Sequence, residues 1–174
     1  MNNLIELFNS IRLVVMDMDG VLTDGKLLLL DDSNWVRKMD IKDGYAIQLA
    51  VKKGLKIAVV TGSFSEAVKS RMAKLGVDAF HENVKDKGNK IEEIAQLYGL
   101  SKEEILFIGD DMPDLASFYA VGTKACPADA VEEVKAKADY VSRFKGGDGC
   151  VRDVLEKILK VQGLWNNGAD ISSI

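Results

Sequence analysis

Residues 14–24 read Val14-Val15-Met16-Asp17-Met18-Asp19-Gly20-Val21-Leu22-Thr23-Asp24. From Ile11 to Met16 the only polar residue is Arg12, so the run predicts a strand buried on both faces, as in the middle of a parallel sheet. Two carboxylates follow where that strand ends. Ligands of open α/β sheets bind beyond the carboxyl ends of the strands, so this is the first place to look for chemistry. Acids two residues apart before a glycine suit a hard divalent cation beside a carboxylate nucleophile. A solvated pair capping a strand is the competing reading, and the rest of the chain decides between them.

Working outward, two extended runs, Lys26–Leu30 and Trp35–Met39, flank the turn-rich Asp31-Asp32-Ser33-Asn34. They predict a β-hairpin over about residues 26–39, projecting over the carboxyl edge of the sheet. Its four consecutive leucines cannot all point inward on a free hairpin; they imply either a subunit contact or ordinary core burial. Asp43-Gly44 opens a helix that ends at Gly54, and the strand Leu55–Val60 then delivers Thr61-Gly62-Ser63 to the same edge. A Thr hydroxyl and backbone N–H groups at such a turn can bind an anion, although Thr-Gly turns are also ordinary loops. Ser65 is placed as an N-cap for the next helix.

Val77–Phe80 reads as a short strand and Lys87–Gly99 as a helix. A lysine is unfavourable at the positive end of a helix, so Lys87 needs a reason to be there, unless it is part of a solvated face with Lys85 and Lys90. Ser101 to Glu104 matches a capping box. Strand Ile105–Ile108 ends in Gly109-Asp110-Asp111-Met112-Pro113-Asp114, a second set of acids at a strand-to-helix turn. If that strand lies beside the first, Asp110 meets Asp17 and Asp19. Such crowding repels strongly without a cation, which makes a hard divalent metal the economical resolution. Farther on, Asp129 is placed as a helix cap. Gly146-Gly147-Asp148-Gly149 precedes a helix bearing Arg152, as a backbone anion site or as a flexible turn. Residues 166–174 read as a mobile arm.

Composition narrows the function. The chain has 174 residues, 47% of them hydrophobic, with a formal charge of −4. One domain spanning 1–174 is expected. The basic residues are interspersed with acids, so no nucleic-acid partner is implied. No stretch has the length or apolarity of a signal peptide or membrane span, and the protein is expected to be soluble and cytoplasmic. Cys126 and Cys150 read as reduced thiols and the single His81 as an incidental loop residue, which moves the chemistry onto carboxylates and lysine.

Taken together, Asp17-x-Asp19-Gly-x-x-Thr23-Asp24, Thr61-Gly62, Lys87 and Gly109-Asp110-Asp111-x-x-Asp114 resemble the motifs of the haloacid dehalogenase superfamily of phosphatases. The hairpin, the lack of a large cap insertion and Gly146-Gly147-x-Gly149-x-x-Arg152 are similar to one branch. That branch holds the 3-deoxy-manno-octulosonate 8-phosphate phosphatases of lipopolysaccharide biosynthesis and their nonulosonate 9-phosphate relatives. The resemblance implies an α/β, Rossmann-like three-layer fold with a central, mostly parallel sheet. It also implies a homotetramer in which a neighbour's hairpin and tail close each site. Asp17 would be the nucleophile and Asp19 the acid and base. Asp17, the Asp19 carbonyl and Asp110 would hold Mg²⁺, with Asp111 and Asp114 orienting that shell and Lys87. Thr61, Gly62 and Lys87 would bind the phosphoryl group. Ser63 departs from the usual Arg, so Arg71, Arg152 or the neighbour's tail would read the sugar acid. A non-catalytic tetramerisation module and a phosphate-sensing module are the alternatives from other classes.

Overall fold

The computed structural model describes residues 3–32 and 35–165. Ser33 and Asn34 of the predicted turn and the predicted arm over residues 166–174 lie outside the described residues. In chain order the strands are β1 (Leu13–Met16), β2 (Leu28–Leu29), β3 (Trp35–Val36), β4 (Lys56–Val60), β5 (Ala79–His81), β6 (Ile105–Ile108), β7 (Thr123–Cys126) and β8 (Tyr140–Val141). The α-helices are α1 (Leu4–Ser10), α2 (Ile41–Lys52), α3 (Glu66–Lys74), α4 (Lys87–Tyr98), α5 (Glu132–Lys135) and α6 (Cys150–Val161).

Six strands form one sheet in the order β5-β4-β1-β6-β7-β8, every pairing parallel. From β1 the chain builds outward through β4 and β5, then returns to the other side of β1 with β6. The order therefore reverses between β1 and β6, and the crevice at that reversal is where such sheets bind ligands. Met16 pairs with Ile108, and Asp17 N–H donates to the Ile108 carbonyl at 3.0 Å. The register thus sets Asp17 beside the turn that carries Asp110.

The central strands are apolar throughout because both faces are covered. Val14, Met16, Ile57, Val59, Leu106 and Ile108 pack with residues of α1, α2, α3 and α6. Leu13, Val15, Ala58, Val60, Ile105 and Phe107 meet α4, α5 and the 3₁₀ segment Met112–Tyr119. These are the three layers expected. Each full burial of a large aliphatic side chain contributes about 1.5–3 kcal/mol, so a polar residue inside β1 or β6 would be costly.

Several local expectations change. Helix α2 begins at Ile41, capped by the Asp40 carboxylate, which accepts from Lys42 N–H at 2.6 Å. Asp43 therefore sits inside α2, where its buried carboxylate accepts from Arg152 N–H at 2.6 Å in the first turn of α6. The strand expected over Val77–Phe80 runs from Ala79 to His81, so His81 is a strand residue paired with Val60. Asp129 does not cap α5, whose N-cap is Val131; it accepts instead from Gly146 N–H at 3.0 Å. Gly147 N–H donates to the Val21 carbonyl, and a Cβ on Gly146 would fall 1.8 Å from the Gly20 carbonyl oxygen. The glycine run lets the turn before α6 lie directly against residues 20–24, and the N–H groups of Gly146 and Gly147 are spent on protein acceptors. Both cysteines are buried free thiols, as expected. No helix among the described residues is long and apolar enough to cross a membrane.

Burial pushes the Asp43 carboxyl up to about 7, although the N–H groups of Arg152 and Gly149 favour its charged form. A folded-state pKa above the ordinary carboxylate value means that the fold binds this proton more tightly than the unfolded chain. That contribution to stability is complete below about pH 4 and is lost as pH rises through about 7. Asp43→Asn keeps an acceptor oxygen without the charge. Its melting temperature is expected to match the parent near pH 4 and to exceed it above pH 7, by about 2–8 °C for 1–2 kcal/mol in a chain of this size. Thermal melts across that pH range check it.

Candidate active site

The site is assembled from the carboxyl ends of three neighbouring strands, β4, β1 and β6. After β1 the chain makes a tight turn over Met18–Leu22 in which Asp19 and Gly20 leave helical geometry. Gly20 has φ +91°, and a Cβ there would stand 2.0 Å from Asp110 Oδ2. The positive φ and the close approach both require glycine. Thr23 Oγ1 braces the same turn, accepting from Gly20 and Gly25 N–H and donating to Asp19 Oδ1 at 3.4 Å. After β6 the chain turns into the 3₁₀ segment at Met112, with Asp111 as N-cap and Asp114 completing a capping box.

Carboxylate oxygens of Asp17, Asp110 and Asp114 lie within 4.8 Å of one another. Lys87, 9% exposed, stands among them with Nζ 2.9 Å from Asp17 Oδ1 and 2.7 Å from Asp114 Oδ1. This explains a lysine at the start of a helix: two buried carboxylates outweigh the unfavourable helix dipole. The other oxygen of Asp114 accepts from Asp110 N–H at 2.9 Å and from Asp111 N–H, so Asp114 ties Lys87 to the turn after β6. Asp111 is exposed and accepts from Met112 N–H; it acts on this turn as a cap.

The electrostatics follow from crowding. Burial and the neighbouring Asp114 charge raise Asp17 to about 6 against the pull of Lys87. Burial, with Asp114, Asp17 and Asp111, raises Asp110 to about 7. Burial lowers the Lys87 ammonium, but its contacts with Asp17 and Asp114 more than restore it and carry its pKa above the ordinary value. Asp110 Oδ1 is buried with no hydrogen-bond partner among the described residues, and Asp17 Oδ1 has only the ion pair with Lys87. Orphaned, repelling carboxylate oxygens at one point are the donor set a hard divalent cation prefers. Asp17, Asp110 and Asp114 are close enough to share a cation, although both oxygens of Asp114 already have protein partners. Asp19 is expected from sequence to contribute its backbone carbonyl, and its side chain is engaged elsewhere.

That engagement involves a residue the sequence reading missed. Arg37, just after β3, grips Asp19 with Nε on Oδ1 at 2.7 Å and Nη2 on Oδ2 at 3.2 Å. Burial pushes the Asp19 carboxyl up, but the bonds from Arg37 and Ser63 outweigh it and leave the pKa below the usual carboxylate value. The only signal in the sequence was a pair of basic residues, Arg37 and Lys38, in the return run of the hairpin. On the β4 side Thr61 is buried, with its hydroxyl 3.2 Å from Ser63 Oγ, while Ser63 Oγ donates to Asp19 Oδ2 at 2.7 Å. Among the described residues no acceptor meets Gly62 N–H.

The two remaining candidates lie farther out. Arg152 donates from Nε to Glu156 at 3.2 Å, and its guanidinium is 5.6 Å from the Tyr45 ring and 5.3 Å from the Trp165 ring. It lines a cleft of about 780 Å³ with Lys42, Arg143 and Asp148. Arg71 reaches from α3 to the first turn of α2, where a Cβ on Gly44 would sit 2.9 Å from its Nη2.

A carboxylate at a strand end, a second carboxylate two residues on and a lysine bridging to a third acid meet at the reversal point of a parallel sheet, an arrangement that suits a hydrolase. Residues 80–154 match the family model of haloacid dehalogenase-like hydrolases. The chain is 31% identical over 154 residues to the 3-deoxy-D-manno-octulosonate 8-phosphate phosphatase of Escherichia coli K12, covering 88% of this chain and 82% of that one. The crystal structure of that phosphatase from Yersinia pestis superposes with a TM-score of 0.90 at 30% identity, covering 94% of this chain and 88% of the other. The Moraxella catarrhalis phosphatase, in complex with magnesium ion, phosphate ion and KDO, gives 0.89 at 30% identity, covering 94% of each chain. The chain belongs to the haloacid dehalogenase-like hydrolases, in the family of the 3-deoxy-D-manno-octulosonate 8-phosphate phosphatases.

Gly20→Ala tests the close contact on which the trio depends. The added methyl must displace Asp110 and accept a strained φ, at an expected cost of about 1–3 kcal/mol, read by urea unfolding.

Proposed function

We propose that the chain is an Mg²⁺-dependent phosphomonoesterase that releases phosphate from 3-deoxy-D-manno-octulosonate 8-phosphate, working as one catalytic domain in the cytoplasm. The observation that carries this reading is the meeting of Asp17 and Asp110 beside Lys87 at the reversal point of the sheet, with an oxygen of Asp110 buried and without a hydrogen-bond partner. The eight-carbon substrate is favoured over a nonulosonate 9-phosphate because the relatives described above carry the octulosonate name. A purely structural tetramerisation role fits poorly with a full complement of acids and lysine.

In this reading Asp17 attacks phosphorus and forms an acyl phosphate while the phosphorus–oxygen bond to the sugar breaks. Asp19, whose contacts with Arg37 and Ser63 favour its charged form, must first take up a proton from solvent; it gives that proton to the departing alkoxide, then takes one from the water that hydrolyses the intermediate, returning Asp17 and free phosphate. Thr61, Gly62 and Lys87 hold the transferring oxygens, Lys87 with its charge and Gly62 with its exposed N–H. Asp17 and Asp110, with Asp114 and the Asp19 carbonyl, would hold Mg²⁺, which when bound offsets the repulsion between a carboxylate and a phosphate dianion. Asp111 acts indirectly, by capping the turn that carries Asp110 and Asp114. Ser63, Arg71 and Arg152 supply contacts to the sugar acid. The exposed apolar face of the hairpin, with Leu28 and Leu29 each 61% exposed and Trp35 52%, supports its assignment to a homotetramer contact.

Phosphate release from the octulosonate ester is expected with millimolar Mg²⁺ and should vanish with chelator. Asp17→Asn is expected to lower kcat at least about 1,000-fold by removing the nucleophile. A nonulosonate 9-phosphate turned over with higher kcat/KM would reassign the substrate, and no metal-dependent release from either would sink the reading. Sedimentation of the parent and of Leu28→Ser/Leu29→Ser checks the assembly, with a tetramer expected only for the parent.

A further inference from the structure

We propose that Asn83 is a positioning residue for phosphate: held in the left-handed region, it lets the loop after β5 latch the Thr61-Gly62-Ser63 turn so that Gly62 N–H faces the reacting group. This rests on the phosphatase reading, because the turn has a part only if a phosphoryl group comes to it. Asn83 has φ +56° and is the one residue other than glycine with a positive φ among the described residues. Asparagine tolerates that region better than most residues, and β-branched residues tolerate it worst. Asn83 is exposed, so what the position supplies is the path of its backbone.

That path changes the pairing beyond the end of β4. Thr61 N–H donates to the His81 carbonyl at 2.9 Å, in step with the parallel pairing of β4 and β5. In an uninterrupted ladder the Thr61 carbonyl would next accept from the N–H of residue 83. Instead Val84 N–H takes that carbonyl at 3.0 Å, and Asn83 N–H passes on to the Ser63 carbonyl at 3.2 Å. One extra residue in left-handed conformation makes a bulge, which re-aims its neighbours. The Thr61–Gly62 peptide is trans, so its N–H points opposite to the carbonyl that Val84 holds. Strand β4 lies between β5 and β1, and an N–H turned away from the β5 side is turned toward the end of β1, where Asp17 lies. The same loop runs on to Lys87 at the start of α4, whose Nζ reaches Asp17 Oδ1 at 2.9 Å. One left-handed residue thus sets the direction of a neutral donor and the starting point of the charged one, and donors fixed in advance are what a transferring phosphoryl group requires.

Calorimetric titration with inorganic phosphate in millimolar Mg²⁺ reads the donor without turnover, at a temperature where every variant is folded. Asn83→Val is expected to weaken phosphate binding about 10-fold and to speed hydrogen exchange at Val84 N–H, because a β-branched residue leaves the left-handed region and releases the latch. Asn83→Gly keeps that conformation without the amide side chain, and its phosphate affinity is expected within about 2-fold of the parent. Should Asn83→Val fail to fold, Asn83→Ala takes its place, with a loss of about 4-fold expected from the milder strain. Unchanged affinity in the strained variant, whatever its melting temperature, would reduce Asn83 to a structural turn residue and overturn the proposal. A loss in Asn83→Gly equal to that in the strained variant would overturn it too, since the side chain and not the backbone would then be at work. Either result in a parent that binds phosphate and turns over the octulosonate ester leaves the phosphatase reading standing. A parent that neither binds phosphate nor turns over the ester sinks that reading, and the proposal with it.

Discussion

Repulsion among carboxylates at the ends of β1 and β6 is the constraint on which this molecule turns. The parallel register sets Asp17 beside the Ile108 carbonyl, and Gly20 lets Asp110 approach the turn after β1. Once these acids are in place, something positive must stand among them. Lys87 meets part of that need through Asp17 and Asp114. What it leaves, an orphaned oxygen on Asp110 and raised proton affinities on Asp17 and Asp110, is a demand for a second cation. The lysine and the three clustered acids are two parts of one electrostatic solution.

The two acids of the first turn are treated oppositely by their surroundings. Asp17 is buried beside another acid and holds its proton more tightly, whereas Asp19 accepts from Arg37, Ser63 and Thr23 and holds it less tightly. Two residues of separation suffice because the turn after β1 sends one side chain into the sheet edge and the other toward the hairpin. A divided environment of this kind lets two chemically identical groups take different parts in one reaction. Asp43 shows that burial alone is not a mark of catalysis, since its raised pKa comes with a structural task at the N-terminus of α6.

Much of this was legible before any coordinate. Apolar runs of four to six residues ending in Asp-x-Asp, Thr-Gly and Gly-Asp-Asp predicted buried parallel strands delivering polar groups to one edge, and the order of the motifs pointed to the family. Boundaries were less legible. Asp43-Gly44 looked like a helix start, but Asp40 provides the cap, because a cap depends on backbone angles that composition does not report. Asp129 and the run from Gly146 misled for a related reason: their partners, each other and the backbone of residues 20–24, are distant in the chain.

By itself the sequence determined the fold class and pointed to the strand ends for the chemistry, with Asp17, Asp19, Thr61, Lys87, Asp110 and Asp114 as its candidates. Period, turn chemistry and residue type are local properties, and those follow from local physics. Only the tertiary structure decided which acids share a cation-sized space, that Lys87 bridges two of them, and that Arg37 reaches Asp19. Those outcomes depend on strand order and on side chains converging from separate elements, and a distance between residues 18 or 27 positions apart is not written in either neighbourhood.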